Sequence, residues 1–496
     1  MKVIDWIKKW SEFSPNQVAF KELESGRTYT YEALNKSASK IANFLSLNYE
    51  IQIGDRIAII AENCIEYILL LGVAQKMGII LAPLNYRLQP VELDGLMEQV
   101  TPSLILFDQK YEQKITATSH AKSNVRQMPI EALIDLSRSE SGIFENIHID
   151  DDHAALIIFT SGTTGQPKGS IYTHKMMHYN SLNTSLRLDI TSKDRSINCA
   201  PPFHTGGWNV LLTPFIHHGA FTLIMKSFDP DIVLQSLEKE HITVWWAVPT
   251  MLKMMQDAPS FKTVNLENVR YFIVGGEAMP LPLIRLWEDR GIPIRQGYGL
   301  TEVGPNVTSL NEEDSIRKIG SIGKPNFYYE IKVIDEDGNK AEVNAPGELW
   351  LSGPTVSPGY ININPKDDKD RVNGWFRTGD IVTVDDEGFL FVVDRIKNMY
   401  ISGGENVYPT EVEGIIRQID GIDDVAIIGV PHEKWGEIGK AFVVRKKGTK
   451  LSDEDILRFC ASKMAKYKVP GTIAFVEELP KNDAGKIDKK VLKQFS

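Results

Sequence analysis

The sequence predicts an α/β protein: a large N-terminal domain of α/β-layered sheets with a β-rich subdomain, then a small α+β domain at the C-terminus. Three observations support this reading. Short apolar runs alternate with helix-period segments up to about residue 320. Turn dipeptides then punctuate short strands over about 321–396, and a compact mixed pattern fills 397–496. The domains expected are therefore 1–396, carrying the β-rich part, and 397–496. A chain of 496 residues has ample length for a large core, and 42% hydrophobic with 24% charged residues excludes a disordered or fibrous protein.

Taken in order, Val3, Ile4, Ile7, Trp10 and Phe13 recur at helical spacing, which predicts a surface helix packed on its own domain. Strands are expected at Arg56–Ala61, Ile79–Pro83, Ser103–Phe107 and Ala154–Phe159, with a helix over Cys64–Met77. Two more strands are expected at Ile242–Val248 and Val269–Val274. Strand–helix–strand alternation of this kind builds largely parallel sheets. The longest apolar stretch, Tyr67–Leu84, contains Gln75, Lys76 and Gly78. A lysine at the centre of a bilayer costs roughly 3 kcal/mol, so this stretch reads as core helix and strand, not a membrane span.

The β-rich part shows Ile331–Ile334 ahead of Asp337-Gly338, then Gly347–Leu351, then Phe389–Val393 after a second turn at Asp386–Gly388. In the last hundred residues, helices are expected at Pro409–Gln418 and Ser452–Met464, and strands at Val425–Val430 and Ala441–Val444. Residues 397–496 hold 17 Lys and Arg against 15 Asp and Glu, a net of +2 that leaves −12 for the remainder.

The overall net charge of −10 argues against nucleic acid as a partner, because phosphate backbones attract excess Lys and Arg. Cys64, Cys199 and Cys460 are scattered and odd in number. They make neither a disulfide framework nor a metal-spaced cluster, which points to a reducing, cytoplasmic setting. The first residues lack the apolar run of a signal peptide. Oligomeric state is left open, a homodimer included.

The most informative segment is Phe159-Thr-Ser-Gly-Thr-Thr-Gly-Gln-Pro-Lys-Gly169. A buried strand ends, hydroxyl residues and glycines alternate, and a lysine follows. Glycines let the backbone turn its N–H groups toward an anion, Thr160, Ser161, Thr163 and Thr164 add hydroxyl donors, and Lys168 brings a positive charge. The spacing differs from G-x-x-x-x-G-K-[ST], so this is a phosphate loop of another kind.

Thr160–Gly169 resembles the signature of the adenylate-forming superfamily, which includes acyl-CoA synthetases, peptide-synthetase adenylation domains and beetle luciferases. Further segments resemble that family's motifs in its order. The resemblance implies that Thr160, Ser161, Gly162, Thr163, Thr164, Gly165 and Lys168 hold the ATP phosphates. Gln296-Gly-Tyr-Gly-Leu-Thr-Glu302 is similar to the second nucleotide motif, with Gln296, Gly297, Tyr298, Gly299 and Thr301 around the nucleotide and Glu302 on Mg²⁺. Without the resemblance, that string reads as a turn entering a helix. Gly275, Gly276 and Glu277 would run along the adenine by the same likeness.

Trp375-Phe-Arg-Thr-Gly-Asp380 is similar to the ribose motif, and Arg395 would support Asp380. Lys397 matches the family's hinge, about which a mobile C-terminal domain swings. Gly403 and Gly404 would line the path of a pantetheine arm. Lys486, in Leu479-Pro-Lys-Asn-Asp-Ala-Gly-Lys-Ile-Asp-Lys489, matches the catalytic lysine. On the acyl side, Pro201-Pro-Phe-His-Thr-Gly-Gly-Trp208 places His204 at the position that lines or gates the carboxylate site. Trp208, Trp245, Val248 and Gly275 fall in stretches that shape the acid pocket.

The expected activity is thus ligation of a carboxylic acid to coenzyme A, with ATP, Mg²⁺ and an acyl-AMP intermediate. A medium- to long-chain fatty acid comes first, an aryl or branched acid second. Loading of a carrier protein would need a separate partner, since no carrier domain is fused after Lys486. A nucleotide sensor without catalysis is disfavoured by the presence of Thr163, Glu302, Asp380 and Lys486.

Overall fold

Helix Ile65–Met77 is enclosed on every side, all 13 of its residues being buried. A helix apolar around its whole circumference has no face for water and settles in a protein interior. Its largest neighbour is helix Tyr31–Tyr49, whose Leu34, Ala38, Ile41, Ala42 and Leu45 share one face and enter the same core. Besides Glu66, which pairs with Arg27 at 2.7 Å, the charged exception in this apolar helix is Lys76. Its ammonium lies 2.6 Å from Asp5 Oδ2 and donates to Asn35 Oδ1 at 2.5 Å. A buried charge is tolerated when paired and hydrogen-bonded in this way. Asp5 also caps helix Trp6–Phe13 through the amide of Lys8, so Val3 and Ile4 precede the helix in which they were expected.

The structure is a computed structural model that describes residues 2–122, 125–160, 167–277, 279–482 and 486–495. Among these, no helix is long and apolar enough to cross a membrane. The chain forms two compact units: Met1–Glu330 with Leu351–Phe376, and Ile331–Trp350 with Arg377–Ser496.

In the first unit, Arg126–Pro129, Leu104–Phe107, Arg56–Ile60, Ile80–Pro83, Ala154–Thr160 and Lys168–Thr173 form one sheet in that order. Every pairing is parallel except the last. A second sheet orders Thr28–Thr30, Val18–Glu22, Phe221–Ile224 and Arg195–Asn198. A third series starts with parallel Val244–Ala247, Tyr271–Val274 and Ile294–Leu300, then continues antiparallel through Gly304–Ser309 and Ser321–Pro325. The α/β class and the expected strands are present, with ends shifted by a residue or two.

The second unit contains the hairpin of Trp375–Val384 (from Arg377 on) with Leu390–Arg395. It also holds a sheet built on the long antiparallel pair Ile422–His432 and Gly436–Arg445. Helices Pro409–Ile416 and Asp453–Lys463 pack on that sheet around Tyr400, Val412, Ile427, Val443 and Cys460. The unit therefore combines the expected 397–496 with strand segments from 331–350 and 377–396.

Half of the ten histidines sit together in the first unit. His153 stacks near His174, and His178, His217 and His218 follow with ring centroids about 5 Å apart. Burial pushes His174 down to about 3, with His153 adding to the effect and Asp151 opposing it. Burial, then His218 and His178, lowers His217 to about 3. Both are neutral in the fold and bind protons more readily once unfolded. Stability is therefore unaffected above about pH 6.5 and falls below it, by roughly 1.4 kcal/mol per pH unit for each such histidine until its folded value is reached. Urea unfolding midpoints between pH 7.5 and 5 are expected to drop accordingly; a flat profile would contradict the buried neutral cluster.

Candidate active site

Strands Ala154–Thr160 and Lys168–Thr173 are antiparallel with Thr160 opposite Lys168, so the segment expected to hold phosphates starts and ends on neighbouring strands. Ser161, Gly162, Thr163, Thr164 and Gly165 lie outside the described residues. At its base, the Lys168 ammonium rests 5.0 Å from the ring centroid of Tyr360. Among the described residues it makes no ion pair.

Tyr360 belongs to a segment that runs along the outer strand of this hairpin. Ile361 N donates to Gly169 O at 2.8 Å, and Ile171 N donates to Gly359 O at 3.0 Å. The Ser357 amide donates to the carbonyl of Glu302 at 2.8 Å, and the Tyr360 hydroxyl donates to Glu302 Oε1 at 3.1 Å. Burial raises the Tyr360 phenol above its usual value, and the neighbouring Glu302 charge raises it further, so the hydroxyl keeps its proton. Ser357 and Tyr360 were not foreseen. Their string, Ser-Pro-Gly-Tyr, reads as a turn, and the strand it meets is remote in sequence.

Glu302 stands at the tip of a second hairpin, Ile294–Leu300 with Gly304–Ser309. The turn-into-helix reading of this stretch is corrected here: Gly297 to Leu300 continue the strand, and Thr301–Val303 make the turn. Gly299 is required by close approach, since a Cβ there would lie 2.2 Å from the Pro305 carbonyl carbon. Gln296 is buried. Its Oε1 accepts from Met279 N at 3.1 Å, and its Nε2 has no partner among the described residues. An orphaned buried donor of this kind suits a nucleobase nitrogen. Tyr298 and Thr301 are half-buried beside it. Gly275, Gly276 and Glu277 follow strand Tyr271–Val274 as irregular backbone, and the next helix begins only at Leu281.

The residues expected at the acid pocket separate into two groups. His204 is half-buried, precedes the short helix Thr205–Asn209, and has its ring 4.6 Å from Phe203. Trp208 is enclosed, donates its Nε1 to Pro202 O at 2.6 Å and meets Tyr67 edge-on. Trp245 is 0% exposed, between Phe228 and Phe272. Both indoles are thus core. Strand alternation puts Trp246 on the opposite face. That half-buried indole lies against Gly206, where a Cβ would come within 2.7 Å of it, and its Nε1 approaches Gly275. Val248 is half-buried at the N-cap of helix Pro249–Gln256.

The second unit holds six expected residues: Asp380, Arg395, Lys397, Gly403, Gly404 and Lys486. Asp380, 2% exposed, sits opposite Arg395 in the sheet register, and Arg395 Nε is 2.8 Å from its Oδ1. Burial lowers Lys397, and the positive charges of Arg395, Lys490 and Lys486 contribute to it. Lys486 closes a short loop: its amide donates to Asn482 Oδ1, and Lys481 bridges Ile487. Asp394 is buried as well. It accepts from Asn398 Nδ2 at 3.1 Å and from Thr410 N at 2.7 Å, capping helix Pro409–Ile416. Gly403 and Gly404 are the two turn residues between Tyr400–Ser402 and Glu405–Val407, both at positive φ.

Glu302 also meets the requirements of a Mg²⁺ ligand. Mg²⁺ takes one or two hard carboxylates and otherwise waters and phosphate oxygens. One Glu302 oxygen is held by Tyr360, and no cation neutralises the carboxylate among the described residues.

Residues 7–361 match the family described as AMP-binding enzyme, and residues 411–486 match the AMP-binding enzyme C-terminal domain. The chain is 33% identical over 484 residues to a feruloyl-CoA synthase of an Amycolatopsis species, covering 98% of this chain and 97% of that one. It is 33% identical over 500 residues to a long-chain-fatty-acid–CoA ligase of Mycobacterium tuberculosis, covering 100% and 98%. The fold superposes on o-succinylbenzoate CoA synthetase of Bacillus subtilis in complex with ATP and a magnesium ion, with a TM-score of 0.89, 28% identity and coverage of 99% and 100%. The chain belongs to the AMP-binding enzymes, the adenylate-forming superfamily. Within it, the protein is an AMP-forming acyl-CoA synthetase, the class that works with ATP, Mg²⁺ and coenzyme A.

Gly299→Ala is expected to force the Ile294–Ser309 hairpin apart and weaken ATP binding at least tenfold in a calorimetric titration. Unchanged affinity would mean that the hairpin yields without moving Glu302.

Proposed function

We propose that the protein activates a medium- to long-chain fatty acid as its acyl-adenylate and transfers the acyl group to coenzyme A. The observation that carries the mechanism is the buried Asp380 carboxylate paired with Arg395 in the unit that also holds Lys397 and Lys486: an acceptor suited to ribose hydroxyls with cations suited to a phosphoryl group.

In the first half-reaction a carboxylate oxygen attacks the α-phosphorus, the bond to the β-phosphate breaks and pyrophosphate leaves. The loop from Thr160 to Lys168 cradles the outer phosphates with backbone amides, hydroxyls and the Lys168 charge. Glu302 would hold Mg²⁺, which would supply charge neutralisation at the phosphates. Lys486 bridges the attacking carboxylate and the α-phosphate as charge builds up, so the acceleration comes from positioning and electrostatics. His204 borders the carboxylate site.

In the second half-reaction, residues 397–496 turn about Lys397. Lys486 withdraws and the Gly403–Gly404 turn takes its place. The thiolate of coenzyme A then attacks the acyl carbon, and AMP departs with the electrons of the C–O bond.

An aryl or branched acid is the second reading, favoured by the half-buried Trp246 indole against Gly206, a flat apolar wall that would suit a ring. An amino acid is disfavoured, because Trp245-Trp-Ala-Val-Pro249 offers no carboxylate for an ammonium group.

Lys486→Ala is expected to abolish pyrophosphate release while leaving thioester formation from supplied acyl-AMP within a few-fold of wild type. Equal loss of both half-reactions would remove the assigned role. A coenzyme A-dependent AMP-release screen over acids of graded length and aromaticity is expected to give activity rising with chain length. Highest activity with cinnamate- or benzoate-type acids would instead select the second reading.

A further inference from the structure

Lys168 and Glu302 carry opposite charges that no described residue neutralises, and a single side chain stands between them. Tyr360 presents its ring face to the Lys168 ammonium, with 5.0 Å from Nζ to the centroid, and its hydroxyl to Glu302 Oε1 at 3.1 Å. The ring is 6% exposed, and its backbone is paired with Ser170 in the outer strand of the phosphate hairpin. The amide of Ser357, three residues earlier, donates to the Glu302 carbonyl. Segment 357–361 thus holds the Glu302 main chain, the Glu302 side chain and the Lys168 strand in one hydrogen-bonded frame.

We propose that Tyr360 is a positioning residue for the first half-reaction: it keeps Lys168 and Glu302 from collapsing into an ion pair and directs the free Glu302 oxygen to Mg²⁺.

The physical case rests on what each group would do without the tyrosine. A flexible lysine and a nearby carboxylate without other partners attract one another, and a direct pair would occupy the charge each needs for its ligand. A phenol cannot neutralise the carboxylate, because it donates one hydrogen bond and remains uncharged. It therefore fixes the orientation of Glu302 and leaves the negative charge available for a metal. The ring face attracts the ammonium more weakly than a carboxylate does, so phosphate oxygens can displace it. Separate parts of Tyr360 thus serve the two charges: the hydroxyl serves Glu302 and the ring serves Lys168.

This division makes the proposal testable, and it rests on the reading of Glu302 as the Mg²⁺ ligand. Tyr360→Phe keeps the ring and removes the hydroxyl; Tyr360→Leu removes both. Binding of α,β-methylene-ATP, whose α–β linkage cannot be cleaved, is titrated calorimetrically in Mg²⁺ and in EDTA. Formation of the acyl-CoA from supplied acyl-AMP and coenzyme A is measured alongside. Tyr360→Phe is expected to raise the Mg²⁺ concentration for half-maximal nucleotide binding about tenfold, with affinity in EDTA and the second half-reaction unchanged. Tyr360→Leu is expected to lose affinity in EDTA as well.

A wild-type Mg²⁺ requirement in Tyr360→Phe overturns the proposal. So does loss of the second half-reaction in parallel with the first, which would mark a merely structural tyrosine. Glu302→Gln separates this failure from that of the underlying reading. If that variant also keeps the wild-type Mg²⁺ requirement, Glu302 is not the metal ligand; if it raises the requirement while Tyr360→Phe does not, only the role of Tyr360 is lost.

Discussion

The site of the first unit depends on one backbone pairing. Strand Lys168–Thr173 pairs on one side with Ala154–Thr160 and meets the 357–361 segment on the other, through Gly169 O and Ile171 N. Main-chain hydrogen bonds are individually modest, but here they are laid in register and mostly buried, so the strand cannot slip without inverting which side chains face inward. Gly169 shows how close the layers come. A Cβ at that position would lie within 2.9 Å of both Ile157 and Ile361. Lys168, Tyr360 and Glu302 take their positions from this frame.

The parts of the fold that were legible in the sequence carry their signal locally. Helix Ile65–Met77 and strands Arg56–Ile60, Leu104–Phe107 and Ala154–Thr160 are dense in apolar residues, and density alone announces a buried element. Strands Val18–Glu22 and Arg195–Asn198 are mixed in character, containing Lys21, Glu22, Arg195 and Asn198, and owe their place to the distant Phe221–Ile224 between them. No local pattern reveals such a partner. The stretch around Tyr298 went astray for the same reason. Its glycines suggest a turn, and only pairing with Gly304–Ser309 makes it a strand.

The candidate site divides along similar lines. Residues set in distinctive strings, such as Lys168, Glu302, Asp380 and Lys486, stand out by resemblance, and the second unit pairs Asp380 with Arg395 and also holds Lys397 and Lys486. Side-chain direction was not legible. Two adjacent tryptophans on strand Val244–Ala247 must face opposite ways, and composition cannot say which one looks into the Phe228–Phe272 core. Tyr360 was invisible for a further reason: its importance lies in standing between two charges that the sequence keeps far apart.

Asp394 braces the chain around Lys397. Its carboxylate bonds Asn398 and the first turn of helix Pro409–Ile416, and so ties together chain on both sides of Lys397. The turn proposed about Lys397 would exchange these charge-assisted bonds, each worth about 1.5–3 kcal/mol, for water. Under the proposed two-pose cycle the carboxylate is a kinetic detent: the more firmly it holds, the longer one half-reaction persists before the other begins.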